Sequence, residues 1–187
     1  EGPYLLRAEP EGRAAFAAQV SRLEAAGFVV KRAPFLTDFD ELERKHRRMM
    51  AAEAVTEHEG WYAQYADRYS DHMHGIMQMG RSVDHAELTQ SRQERLVLRK
   101  QVAAELARLG ADLWISPPAT GAAPEGIAAT GNPIMNLPWT NAGVPALTIP
   151  AGRAANGLPL GLQIAAPFGQ DERLLAWARQ MEKEMMG

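Results

Sequence analysis

Cysteine is missing from all 187 residues. Disulfides, thiolate nucleophiles and cysteine-held metals are therefore excluded together, and the composition suits a reducing, cytoplasmic setting. Also missing is any apolar run near the roughly 20 residues that a bilayer-spanning helix needs, so no membrane partner is expected. There is no basic excess either. Twenty Lys and Arg stand against 23 Asp and Glu, a formal net charge of -3, and without a positive field no nucleic-acid partner is expected. Internal repeats and low-complexity segments are absent as well. Neither a methionine nor a signal-like segment precedes Glu1, which predicts a cut or processed amino end and hence a fragment.

What is present reads as globular. Hydrophobic residues make up 46% and charged residues 23% of the chain, proportions that fit one ordinary domain over 1–187 with a real core. Between Glu9 and Ala26, Phe16, Val20 and Leu23 recur at helical spacing, and Gly27 supplies a stop. Phe28 to Val30 follow as a short β-prone run, so helix leading through glycine into strand gives an α/β rhythm. Thr37 and Asp40 mark a capping-box-like start for a helix through about His58, with Gly60 expected to break it. ELERKHRR within that stretch reads as a solvated face.

Trp61, Tyr62, Tyr65 and Tyr69, then Met73, Ile76, Met77 and Gly80, predict shorter helices, and such stripes at helical spacing pack cores more often than they line pockets. A longer helix is expected from Asp84 to Leu109, and a strand from Ala111 to Ser116 closed by two prolines. Residues Thr120 to Asn132 describe an irregular loop between strand-like runs. Pro145 to Pro150 and Leu160 to Ala165 predict a strand pair, with a final helix opening at Asp171. Helices thus dominate about 37–110, and strands a pocket region of about 111–187.

Hydrolytic chemistry needs a nucleophile, a nearby base and oxyanion donors. Ser21, Ser70, Ser82 and Ser91 fall in or beside expected helices, and Ser116 sits next to prolines that lack N–H donors. Lys31, Lys45, Lys100 and Lys183 occupy charged or solvent-facing contexts, so no catalytic residue is assigned. His58, Asp71, His72 and His74 could be imagined around a metal, but residues two apart on a helix point to different faces, and no metal or other cofactor is assigned. His46 and His85 have no neighbours at ligand spacing. The segment from Thr130 to Trp139, by contrast, sets two asparagines among prolines and a tryptophan, which offers hydrogen-bonding groups between apolar walls as a ligand pocket requires.

That segment opens the most specific stretch of the chain. It continues through Asn141 to Ala146, a P-A-G turn at Pro150 to Gly152, and the run GLPLGLQ from Gly157 to Gln163. In order and spacing this resembles the C-terminal part of amidase signature enzymes, and LEAAGFVV near the start resembles the same family more generically. The resemblance implies an α/β fold with a mixed β-sheet flanked by helices. It also implies serine-dependent hydrolysis of a small-molecule amide, with no metal or organic cofactor.

By the same resemblance Thr130, Ile134, Met135 and Trp139 are pocket-wall candidates, and Asn132 and Asn136 are polar contacts. The family's Gly/Ser-rich nucleophile loop and its catalytic lysine find no match here. The expected role is therefore that of the substrate-shaping part of an amidase, with a non-catalytic binding or scaffold module as the alternative. The segment WYAQYADRYSDHMHGIMQMG stands where the tRNA-linked amidotransferases of the family carry an A-R-Y-D-G-like stretch, which implies a stand-alone bacterial-type amidase. Half of such a fold would leave apolar strand edges uncovered, so self-association or pairing with an N-terminal amidase half is expected.

Overall fold

The computed structural model describes residues 1–186. Its elements run in the order α1 (Pro10–Ala25), α2 (Phe39–Tyr65), α3 (Asp71–Arg81), α4 (His85–Leu109), β1 (Trp114–Ser116), α5 (Leu137–Ala142), β2 (Ala146–Arg153), β3 (Pro159–Ala165) and α6 (Asp171–Met186). Short 3-10 turns stand at Leu5–Arg7, Ala66–Arg68 and Pro133–Met135. Two compact units result: Glu1–Phe39 with the chain from Leu98 onward, and Asp40–Val97.

The first unit is α/β. Its sheet has the order β1-β3-β2, and β3 pairs antiparallel with both neighbours. Where a mixed sheet was expected, the described strands pair only antiparallel, because a tight turn from Ala154 to Gly157 folds β3 straight back on β2 and no parallel crossover intervenes. Gly157 takes φ +85°, which the turn requires. The expected P-A-G turn at Pro150 to Gly152 lies inside β2, where the register slips between Pro150 and Arg153. Gly152 at φ +127° lies where the one extra residue of β2 is absorbed as a bulge rather than ending the strand.

Helices α1 and α6 pack on this sheet. Leu23 of α1, Leu162 and Ile164 of β3, and Leu174, Met181 and Met185 of α6 form its buried core. The helix α1 is staked by Pro10 in its first turn and ends before Gly27, whose φ of +90° suits the stop. Gln19 reaches out of α1 to bind both strands, its Nε2 donating to the carbonyls of Ala151 (3.1 Å) and Gly161 (3.2 Å). The expected strand at Phe28 to Val30 is not in the sheet. Phe28 and Val30 pack against the core and Val29 points outward, an alternation proper to a strand, yet no described strand lies alongside to pair with it.

The second unit is helical. Gly60 does not break α2, which runs through it to Tyr65. A helical glycine costs about 1 kcal/mol but keeps its N–H in the ladder, so with no clash or capping group to end it the helix continues. Ser70 caps α3, its Oγ accepting from the Met73 amide at 3.3 Å. Close approach of α2 and α3 depends on Gly80, where a Cβ would stand 2.1 Å from the Ala51 carbonyl oxygen. Asp84 caps α4 through the Glu87 amide at 2.8 Å.

The charged face of α2 is laced with ion pairs: Arg44 with Glu41, Lys45 with Glu94 and Arg48 with Glu87. The hydrogen bond from Arg44 holds the Glu41 carboxyl down to about 2.

Candidate functional site

Residues Thr120 to Asn132 form an irregular loop, as expected, and the chain turns helical directly after it. A proline stands in the first turn of each of two short helical stretches, Pro133 as the first residue of the 3-10 turn and Pro138 as the second of α5, positions where a missing N–H costs nothing. Asn132 starts the first turn by accepting the Ile134 amide at 3.1 Å, and Gly143 closes the second in the left-handed region at φ +62°.

This backbone splits the six site residues foreseen from the sequence. Thr130, Asn132 and Asn136 come together at the lining of a cavity of about 440 Å³. Ile134, Met135 and Trp139 do not line it; they are buried at 4%, 0% and 3% exposure and pack the core. The cavity's other walls are Pro117 to Pro124, Pro159 to Gly161, and the Gly12 and Gln19 side of α1. The loop wall is tied down to the start of α1. Glu9 donates its amide to the Thr120 carbonyl (2.7 Å) and accepts the Thr120 hydroxyl (3.0 Å), and Gly12 leaves room where a Cβ would stand 2.4 Å from that same carbonyl oxygen.

Behind the cavity lies a polar network that sequence reasoning missed. The Tyr4 hydroxyl donates to the Met135 carbonyl at 2.6 Å, lies 3.2 Å from Ser116 Oγ and accepts the Trp139 indole N–H at 3.3 Å. Burial pushes this phenol up to about 12, against the hydrogen bonds from Ser116 and Trp139 that lower it. Ser116 donates to Gln163 Oε1 at 3.1 Å, Gln163 Nε2 donates to Asn136 Oδ1, and Asn136 Nδ2 donates to the Pro118 carbonyl at 3.1 Å. The core is thereby wired to the loop wall. The one available signal was Gln163, a polar residue inside an otherwise apolar strand. Its partners Asn136 and Ser116 lie 27 and 47 residues away, beyond any local pattern.

Chemically the cavity offers amides, hydroxyls and backbone groups among prolines and alanines, and none of its lining residues is ionisable. No serine or lysine is among the residues that line it. Ser21 bonds back to Ala17, Ser70 caps α3, Ser82 bonds Met79, Ser91 is buried on α4, and Ser116 is held at 4% exposure between Tyr4 and Gln163. Lys31 bonds the Leu109 carbonyl, Lys45 pairs with Glu94, and Lys100 and Lys183 are exposed.

The histidines imagined around a metal are likewise engaged: His58 Nδ1 lies 2.9 Å from the Tyr69 hydroxyl, and His74 Nδ1 is hydrogen-bonded to Tyr62. Among the described residues no group of three His, Asp or Glu side chains converges, and no helix is long and apolar enough to cross a membrane.

Comparisons with known proteins follow the same outline. A glutamyl-tRNA(Gln) amidotransferase component from Gluconobacter oxydans (strain 621H) is 44% identical over 52 residues, 28% of this chain and 10% of that protein. The 6-aminohexanoate-cyclic-dimer hydrolase of Pseudomonas sp. (strain NK87) is 39% identical over 48 residues, 26% of this chain and 10% of that protein. In three dimensions, a crystal structure of an amidase superposes at a TM-score of 0.83 and 23% identity, covering 98% of this chain and 45% of its own. Fatty acid amide hydrolase does so at 0.77 and 16%, covering 95% of this chain and 37% of its own. The chain therefore spans less than half the length of these solved relatives, and the structural likeness shows a shared fold. The Amidase family model matches residues 4–175, nearly the whole chain, and this chain belongs to the Amidase family.

Proposed function

We propose that this chain is the C-terminal, substrate-shaping part of an amide hydrolase. It holds a small carboxamide in the cavity lined by Thr130, Asn132 and Asn136, while the nucleophilic serine and its base come from polypeptide outside it. One observation carries the reading: a cavity fit for hydrogen-bonding a neutral amide has no ionisable side chain in its lining. Such a wall can orient a carbonyl and an N–H, but it cannot activate a nucleophile or protonate a leaving amine. In the completed enzyme a serine would attack the carbonyl, amine would leave, and water would release the acyl group. This chain's part is positioning, with the Asn136–Gln163–Ser116 chain of hydrogen bonds fixing the asparagine's orientation. No metal or organic cofactor is invoked, and a cytoplasmic site of action accords with the lack of cysteine.

The names of the relatives support amides as a class rather than one substrate. One is an amidotransferase component named for glutamyl-tRNA(Gln), the other a hydrolase named for a cyclic dimer of 6-aminohexanoate. A second reading, a binding or scaffold module that uses the same cavity without turnover, is favoured by the same lack of ionisable groups. The first test is titration with acetamide and benzamide, followed by amide NMR shifts. Saturable shifts confined to Thr120, Thr130, Asn132 and Asn136 are expected. No shift there, or shifts scattered over the surface, would overturn the assignment of the cavity.

A further inference from the structure

A cavity of about 550 Å³ lies within the helical unit, between α2, the end of α3 and the start of α4. Four cations of α2 line it, Arg44, Lys45, Arg47 and Arg48, and Glu87 of α4 is the one carboxylate that does so. Its wall thus carries four positive charges against one negative. The glutamates that balance the rest of this face, Glu41, Glu43 and Glu94, pair with Arg44, Arg47 and Lys45 from outside the lining.

Those pairs leave donors free. A guanidinium has five N–H groups. Arg44 gives Nε and Nη2 to Glu41 at 2.7 and 2.8 Å, and Arg47 turns Nε and Nη2 to Glu43 at 2.8 Å each. Neither Nη1 group bonds to a described residue. Arg48 is engaged more fully, by the Glu87 carboxylate and by the Ser82 hydroxyl and carbonyl. Arg44, Arg47 and Arg48 stand three and four residues apart, so their charges share one face of α2 and repel. The bond to Glu87 raises the basicity of Arg48, and the charge of Arg44 works against it.

Across from these cations, on α4, stands Ser91. It is 7% exposed and lines the same cavity, yet its hydroxyl bonds to no described residue. Helical hydroxyls elsewhere in the chain bond back to the carbonyl four residues earlier, Ser21 to Ala17 and Thr56 to Ala52, both at 3.2 Å. Ser91 does not. Gln19 Oε1 is the one described side-chain atom that is both sealed and unpartnered, so the Ser91 hydroxyl is not walled in and opens on the cavity. A buried hydroxyl left in this way calls for a partner.

We propose that this cavity binds a phosphate monoester. The phosphate oxygens accept from Nη1 of Arg44, Nη1 of Arg47 and the Ser91 hydroxyl, and the dianion relieves the repulsion along α2. A phosphate monoester brings three free oxygens to these three donors, whereas a carboxylate brings two oxygens and a single charge. The organic group lies against Met79, the apolar side chain in the lining, which is 41% exposed. The site rests on side chains of the helical unit and does not depend on what the first cavity binds.

The full chain is titrated with inorganic phosphate, phenyl phosphate and acetate at pH 8, where phosphate is a dianion, at constant ionic strength and with amide NMR as the readout. Saturable shifts at Arg44, Arg47 and Ser91 are expected with both phosphates. Phenyl phosphate should bind about threefold or more tighter than inorganic phosphate, and Met79→Ala should remove that advantage. Ser91→Ala should weaken both by about threefold or more, and Arg44→Gln by about tenfold. Arg44 is exposed, so Arg44→Gln keeps the fold and carries the test should Ser91→Ala unfold. Shifts that stay linear with concentration, equal binding of acetate, or wild-type affinity in the folded variants would overturn the proposal.

Discussion

Replacing Tyr4 by Phe removes a single oxygen from the best-connected point of the buried network. The ring stays, with its edge contact to Trp139 and its packing on Phe39. What is lost is the donor to the Met135 carbonyl at 2.6 Å, the acceptor for the Trp139 indole at 3.3 Å and the neighbour of Ser116 at 3.2 Å. A buried polar group left unpaired costs about 1–3 kcal/mol, and since the indole bond is long the sum is put at about 2–4 kcal/mol. For a chain of this size that corresponds to a fall in Tm of about 5–15 °C.

The phenol also makes a signed prediction. Its folded value is pushed up to about 12 by burial, above the value of about 10 in the unfolded chain, so its contribution is complete below pH 10 and is lost as pH rises through 12. The loss amounts to about 2–3 kcal/mol, at 1.36 kcal/mol for each pH unit between the two values. Urea unfolding at pH 7 and across pH 9–12 reads both effects. The wild-type protein should lose its advantage over Y4F across that upper window. A cost under about 0.5 kcal/mol at pH 7, or an unchanged gap between the two proteins at pH 12, would refute the network as described.

Gly80→Val should cost more than about 3 kcal/mol, because its Cβ would meet the Ala51 carbonyl oxygen at 2.1 Å. Gly60→Ala and Gly75→Ala, in helices with open space around them, should each add about 0.5–1 kcal/mol; thermal melts that rank them the other way contradict the helix assignments. Buried His46 has its basicity lowered by burial first and by the charges of Arg95 and Arg47 after it. Its stabilising share is therefore present above about pH 6.5 and declines as pH falls below that value. His46→Gln should flatten that part of the stability profile, and an unchanged acid limb would count against it. Asn136→Ala leaves the Pro118 carbonyl and Gln163 Nε2 without their partners. A cost of about 1–3 kcal/mol is expected, with faster exchange at Thr120; wild-type exchange in that loop would show that Asn136 does not hold the wall.

The legible parts of the chain were those whose cause is local. The helix at Pro10–Ala25 has its periodicity, its opening proline and its closing glycine within one window, and α4 and α6 are of the same kind. The β2–β3 hairpin was visible through its two apolar runs, although the turn expected at Pro150 to Gly152 lies inside β2. Phe28 to Val30 show where locality ends. The residues are strand formers, but being a strand requires a neighbour, and none of the described strands is beside them. Gly60 misled in the opposite sense, since a glycine weakens a helix without removing its hydrogen bonds. In the candidate site the polar half, Thr130, Asn132 and Asn136, sits at a cavity, whereas Ile134, Met135 and Trp139 went to the core. Composition could not separate those two fates, because which face of the Pro133–Ala142 turns meets Tyr4 depends on a residue more than a hundred positions earlier.

The central claim is that this chain shapes an amide site without carrying its nucleophile. Fluorophosphonate labelling of the purified chain, read by intact mass and peptide mapping beside an amide and ester hydrolysis panel, tests it most directly. The account predicts an unlabelled chain with no turnover, its five serines Ser21, Ser70, Ser82, Ser91 and Ser116 all intact. Stoichiometric labelling at any one of them, Ser116 above all, together with hydrolysis by the chain alone, would contradict it.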